Sequence, residues 1–309
     1  MISFYNNKGH QGLTELTQWE EGCWTNVFVP TRDDIEFLVK KLDVPIDFLN
    51  DIEDIEERPR IDDEGAWTLI IMRIPIRINE DMEFATAPIG IMMNGSTVVS
   101  VCFHTNEIIQ DFILFTHRKG IVIDSNINFL LRLILCSSVW YHKYLKHINN
   151  RIKMAEKELE KSIRNDELQA LMRIEKVLVY FTTSLQGNEL LLYKLKNVLY
   201  RDGGYDEELF EDVEIEIKQA ISTTNIYSNI LTGMMDAYAS IVSNNVNDIM
   251  KKLTSITIIL TLPNIISGLF GMNVPNLLEH HPFAFVGILS GAVILSLFAF
   301  FIFKKSKFF

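Results

Sequence analysis

Asn247, Met250, Thr254, Thr257, Thr261, Asn264 and Gly268 recur at spacings of 3, 4, 3, 4, 3 and 4. On a helix this heptad interval puts all seven on one face. They lie in and just before residues 253–270, a stretch of eighteen residues with no charge. Hydroxyl and amide oxygens can contact a cation or its water shell. In hydrocarbon they are costly unless they meet partners or water. On periodicity alone two readings stand. The stripe packs one helix on another, with hydroxyls bonded to the i−4 carbonyl and Gly268 at a close contact, or it lines an aqueous path. One copy cannot enclose a channel, so the second reading requires a ring of identical subunits.

Two acidic runs offer further oxygen ligands. The first holds Asp51, Glu53, Asp54, Glu56, Glu57, Asp62, Asp63 and Glu64. The second holds Asp202, Asp206, Glu207, Glu208, Glu211, Asp212, Glu214 and Glu216. Each reads either as a solvated face with an acidic helix N-terminus or as a weak Mg²⁺ site, which typically uses one or two carboxylates and retained water. Neither follows EF-hand spacing. His280 and His281 could suit a softer metal such as Zn²⁺, or serve simply as polar loop residues. The net charge of −11 argues against a nucleic-acid partner, because phosphate neutralisation needs a basic face. Walker A, GxSxG, HExxH and GxGxxG patterns are absent, so an enzyme reading has no constellation and no catalytic cofactor is expected. Cys23, Cys102 and Cys136 are far apart and read as buried reduced thiols.

The elements that must position these groups follow from hydropathy and period. Residues 253–270 and 282–303 are both uncharged, and the second has the twenty or so residues that a membrane span requires. Lys251 and Lys252 precede the first, Lys304, Lys305 and Lys307 follow the second, and the loop 271–281 has no Lys or Arg. Positive charge prefers the cytoplasmic side. A multi-pass protein of the cell (inner or plasma) membrane with both termini cytoplasmic is therefore expected. The N-terminus shows no signal-peptide pattern. Upstream, 23–29, 67–76, 84–93 and 97–103 read as strands, with helix starts at 30–35 and 45–55 and a hairpin turn at Asn94-Gly95. Residues 126–163 and 166–199 read as long amphipathic helices rich in i,i+4 Lys–Glu pairs. A third starts near Asp206 and meets no proline until Pro263, so it runs into the first span and can carry motion to it. The fold class is thus an α+β cytoplasmic domain, a mixed sheet flanked by helices, followed by long stalk helices and a two-helix transmembrane hairpin. The expected boundaries are 1–125, 126–250 and 251–309.

Gly271-Met272-Asn273, directly after the first span, resembles the signature of the CorA family of Mg²⁺ and Co²⁺ channels. The preceding MKKLTSITIILTLPNIISGLF, Asp236-Ala237-Tyr238, residues 244–247, Trp24 with Pro30-Thr31, and Asp51 with Glu57-Arg58-Pro59-Arg60 extend the likeness over nearly the whole chain. The resemblance implies a homopentameric funnel with an α/β/α N-terminal domain. It implies a selectivity mouth at Gly271, Met272 and Asn273, with the Asn273 amide oxygen touching a hydrated ion. Pore-lining positions then fall on Asn247, Met250, Leu253, Thr257, Thr261, Asn264 and Gly268, with Leu253 and Met250 as an apolar constriction. It further implies that Mg²⁺ is both transported and regulatory, bridging Asp51 of one subunit to Asp212 of another. The implied partners are copies of itself, divalent cations and the lipid bilayer. Phe270 stands where the family often has Tyr, and Glu279 is the one acid of the outer loop. A Zn²⁺ or other transition-metal transporter of the same fold is one alternative. A membrane-tethered structural or signalling stalk is another, and the polar stripe speaks against it.

Overall fold

The computed structural model describes residues 1–6, 12–78, 84–161, 165–202, 205–272 and 282–306. They form two compact units, 1–233 and 234–309. The first is built on a seven-stranded sheet in the order β2-β1-β3-β7-β6-β5-β4. Its strands are β1 (Ile2–Asn6), β2 (Thr14–Leu16), β3 (Trp24–Phe28), β4 (Arg60–Glu64), β5 (Trp67–Arg77), β6 (Phe84–Asn94) and β7 (Thr97–Cys102). Only β3 and β7 pair in parallel; the other neighbours are antiparallel. The sheet is therefore mixed, as the strand pattern predicts.

Alternation along β5 sorts its side chains to two cores. Leu69 and Ile71 face α1 (Arg32–Leu42) and α2 (Ile46–Glu53), meeting Leu38, Phe48, Leu49 and Ile52. Ile70, Met72, Ile74 and Ile76 join the larger core on the other face. That core is closed by α3 (Ile108–Lys119), α4 (Asn126–Lys161), α5 (Asn165–Asp202) and the start of α6 (Glu207–Phe270). The result is three layers, helices on both faces of one sheet. Gly90 of β6 makes the seat for α2: a Cβ there would lie 2.1 Å from Ile52 Cδ1. Since Ile52 neighbours Asp51, this close approach also fixes where the first acidic run begins.

The helix ends follow local chemistry. Thr31 caps α1 in a capping box, accepting from the Asp34 N–H while the Asp34 carboxylate accepts from the Thr31 N–H. Asp43 closes it in the left-handed region at φ 57°. Asn94-Gly95 turns β6 into β7, with Gly95 at φ +57°. Four elements stand beyond those read from sequence: β1, β2, β4 and α3.

The second unit holds the end of α6 and all of α7 (Ala284–Lys305). α6 is one helix of 64 residues with Pro263 inside it. Both contain apolar stretches long enough to cross a membrane. Their side chains are bare: Leu260 is 64% exposed, Ile294 66% and Phe285 77%. Surface that apolar and that unburied calls for cover by lipid or by other helices.

Candidate functional site

The end of α6 has two faces of opposite character. Ser255, Ile259, Leu262 and Ile266 recur at spacings of 4, 3 and 4 and are the side chains of this stretch that are buried or half-buried along one line. They form the inner face of the hairpin. On α7 the matching line is Ala284, Ile288, Ala292, Ser296, Ala299 and Phe303. Ile266 and Phe270 meet Ala284, Gly287, Ile288 and Ala292 around a shared apolar cleft. The small α7 residues let the backbones come near.

Thr257, Thr261 and Asn264 lie half a helical turn away from that inner face. Each of Asn247, Met250, Leu253, Thr254, Thr257, Thr261, Asn264 and Gly268 is exposed. The hairpin therefore packs through the face opposite the polar stripe, which is uncovered among the described residues. The stripe does not pack on α7, while the Thr257 and Thr261 hydroxyls make the i−4 carbonyl bonds that the packing reading expects.

The hydroxyls have a fixed sense. Thr257 Oγ1 donates to the Leu253 carbonyl at 2.8 Å, and Thr261 Oγ1 donates to the Thr257 carbonyl at 2.7 Å. A hydroxyl has one proton and two lone pairs. With the proton held by the helix, each threonine turns only acceptor oxygen outward. Acceptor oxygen of this kind is able to contact a cation or its water shell.

α6 ends at Phe270, and the Gly271 N–H bonds the Ser267 carbonyl at 2.9 Å. A Cβ on Gly271 would lie 3.0 Å from that same oxygen, so glycine permits the close. Met272 is exposed. Asn273, with His280 and His281, lies outside the described residues.

In the first unit, Asp51 sits in the last turn of α2. Its Oδ2 accepts from Arg60 Nη2 at 2.6 Å. The same guanidinium reaches Glu57 through Nη1 and Asp62 through Nε. Partial burial works against this charge, but the bond to Asp62 and the charges of Glu57 and Asp51 outweigh it and hold Arg60 above its ordinary pKa. The carboxylates thus already converge on a cation, one carried by the chain itself.

The loop between α2 and β4 is pinned from beneath by Arg73 of β5. Its Nη1 donates to the carbonyls of Ile55 and Glu57, both at 2.8 Å. Nη2 donates to Thr86 O at 2.9 Å, and Nε to Ser184 Oγ at 3.1 Å. The Arg73 backbone exchanges two bonds with the Asn188 side chain of α5. Tyr141 of α4 donates to the Arg73 carbonyl at 3.1 Å. Burial pulls the guanidinium below its ordinary value. The loop also lies flat on α5 at Gly187, where a Cβ would be 2.8 Å from Pro59 Cγ.

Asp212 is exposed in the first turns of α6, whose Leu209, Phe210, Val213 and Ile217 belong to the core across the sheet from α2. Asp206, in the same acidic run, is spent on the helix start: its Oδ1 accepts from the Leu209 N–H at 3.0 Å. Glu214 pairs with Lys218, and Glu216 Oε2 lies 3.3 Å from His142 Nε2. Among the described residues no three His, Cys, Asp or Glu side chains gather as a metal-ligand set. Sequence reasoning passed over the two arginines as actors. Arg60 was visible only as part of a landmark, and nothing in the spacing marks Arg73.

A family model described as CorA-like Mg²⁺ transporter protein matches residues 19–305. The chain is 28% identical over 290 residues to the cobalt/magnesium transport protein CorA of Methanocaldococcus jannaschii, covering 92% of this chain and 90% of that one. It is 23% identical over 232 residues to the cobalt/magnesium transport protein CorA of Thermotoga maritima, covering 73% and 65%. The complete structure of the CorA magnesium transporter from M. jannaschii matches with a TM-score of 0.83 at 25% identity, over 99% of this chain and 98% of that chain.

Proposed function

The chain belongs to the family of CorA-like Mg²⁺ transporter proteins, and from that premise we propose that it forms a homopentameric pore through which Mg²⁺ enters passively, driven by the membrane potential. One observation carries this reading: the acceptor-lined stripe of α6 faces away from α7 and is uncovered. In a bilayer such a face must meet water or polar partners, and a ring of copies around an axis supplies both. Asn247, Met250, Leu253, Thr257, Thr261, Asn264 and Gly268 line the path. Met250 and Leu253 form its apolar constriction, and Gly271, Met272 and Asn273 form the outer mouth.

The physics suits Mg²⁺. This ion sheds water reluctantly, and neutral hydroxyl and amide oxygens ask only for contact with its hydration shell. A divalent ion gains about 4.6 kcal/mol per 100 mV on entry, twice the single-charge figure, so no nucleotide is needed. Both termini are cytoplasmic, as the lysines flanking the two spans favour. Intracellular Mg²⁺ held between Asp51 of one subunit and Asp212 of the next keeps the pore shut. The two acids stand on helices on opposite faces of the sheet, which favours their coming from different copies. α6 carries both Asp212 and the pore face, and so links the regulatory ion to the gate.

Mg²⁺ uptake into proteoliposomes with a negative interior tests the reading. Wild-type flux is expected, with Asn273→Ala reducing it at least tenfold. Absence of flux in the inserted wild type at low internal Mg²⁺ would sink it, and Zn²⁺ would be the next ion to try.

A further inference from the structure

Arg60 is the first residue of β4 and pairs with Ile71 of β5, so its backbone is fixed by the sheet. Its guanidinium spreads over three carboxylates from three places: Asp51 of α2, Glu57 of the connecting loop and Asp62 of β4. The loop cannot carry it away, since Arg73 holds two of its carbonyls and Pro59 rests against Gly187. The side chain itself is 30% exposed, so solvent reaches the pair. Giving up Asp51 would cost it one contact of three, because Glu57 and Asp62 remain.

From this geometry we propose that Arg60 is a tethered competitor of the regulatory divalent cation at Asp51, and that it sets the Mg²⁺ concentration at which the pore closes. This rests on the reading of Asp51 as a regulatory ligand. A guanidinium does not deprotonate in a protein, so the competition operates at every physiological pH. It works in two ways. Arg60 occupies Oδ2, one of the two Asp51 oxygens open to an incoming ion or its water. It also repels the ion: a unit charge about 5 Å from a divalent cation in a water-like dielectric lowers affinity about tenfold. Because Arg60 has fallback partners, exchange is cheap in both directions, which suits a threshold and not a permanent lock.

The test uses the purified full-length protein, with Mg²⁺ alone as the probe. The half-saturating Mg²⁺ is read from protection against limited proteolysis and from the internal Mg²⁺ that halves uptake in proteoliposomes. Arg60→Met is expected to lower both about tenfold, since it removes a competing charge and leaves three carboxylates unneutralised. Arg60→Gln keeps a donor for the cage without the charge, and is expected to move both in the same direction if the Met variant folds poorly. Loss of a merely structural residue would loosen the site and raise the Mg²⁺ requirement, the opposite sign. An unchanged or raised requirement in a folded variant, beside a wild type that responds, overturns the role of Arg60 alone. A wild type whose protection ignores Mg²⁺ overturns the regulatory reading and this inference with it, and is seen without any variant.

Discussion

Arg73 is the residue on which the polar interior of the first unit converges, and its partners are all neutral oxygens. Removing it leaves carbonyls of Ile55, Glu57 and Thr86 without their charged donor. Hydrogen bonds to a charged group are each worth about 1.5–3 kcal/mol. Arg73→Met is expected to destabilise by about 3 kcal/mol, read as a lower unfolding midpoint, with faster amide exchange in residues 54–60. Gly187→Ala tests the same contact from the other side. The added methyl meets the rigid Pro59 ring at 2.8–3.0 Å, and overpacking of that kind costs about 1–3 kcal/mol. Of the three thiols expected to be buried, Cys23 and Cys102 are, and Cys136 is half-buried beside the core. Burial pushes Cys102 up to about 11 and Cys136 up to about 12, so neither offers a thiolate at neutral pH.

Among the elements, α1 shows how a helix start responds to pH. Slight burial opposes ionisation of Asp34, but its bond from the Thr31 N–H prevails and holds the carboxyl below its ordinary value. A depressed carboxylate stabilises above its unfolded-state pKa, and the contribution is lost as pH falls through the folded value. As pH falls through and below the ordinary carboxylate range, the wild type should lose more protection of α1 amides than Asp34→Asn does, measured by hydrogen exchange. Asp34 and Thr31 were legible from sequence as a helix start, and the strands at 23–29, 67–76, 84–93 and 97–103 emerged within about two residues because their β-branched runs end at clear turn signals. β4 was hidden: Arg60–Glu64 is almost all charge, and only pairing with β5 makes it a strand. β1 and β2 are short and depend on partners in the same way. α3 does carry a helical period, in Ile108, Ile109, Phe112 and Thr116. The stripe on α6 was readable from its interval. Which face meets α7 was not, since both faces have heptad spacing and only the assembled hairpin distinguishes them.

For the whole molecule the proposal fixes a stoichiometry. A chain of 35.7 kDa should appear at five times that mass in native mass spectrometry after detergent removal. A monomer or dimer retaining Mg²⁺ flux would contradict the ring. Gathering several copies of a sheet protein also brings the outer strands of their sheets near one another, and an unpaired strand is an invitation to join. β4 closes one side of this sheet. It presents Asp62, Asp63 and Glu64 in succession, so a foreign strand laid against it would bring its backbone into a row of negative charge. Charge of one sign along an edge strand disfavours open-ended strand pairing between copies.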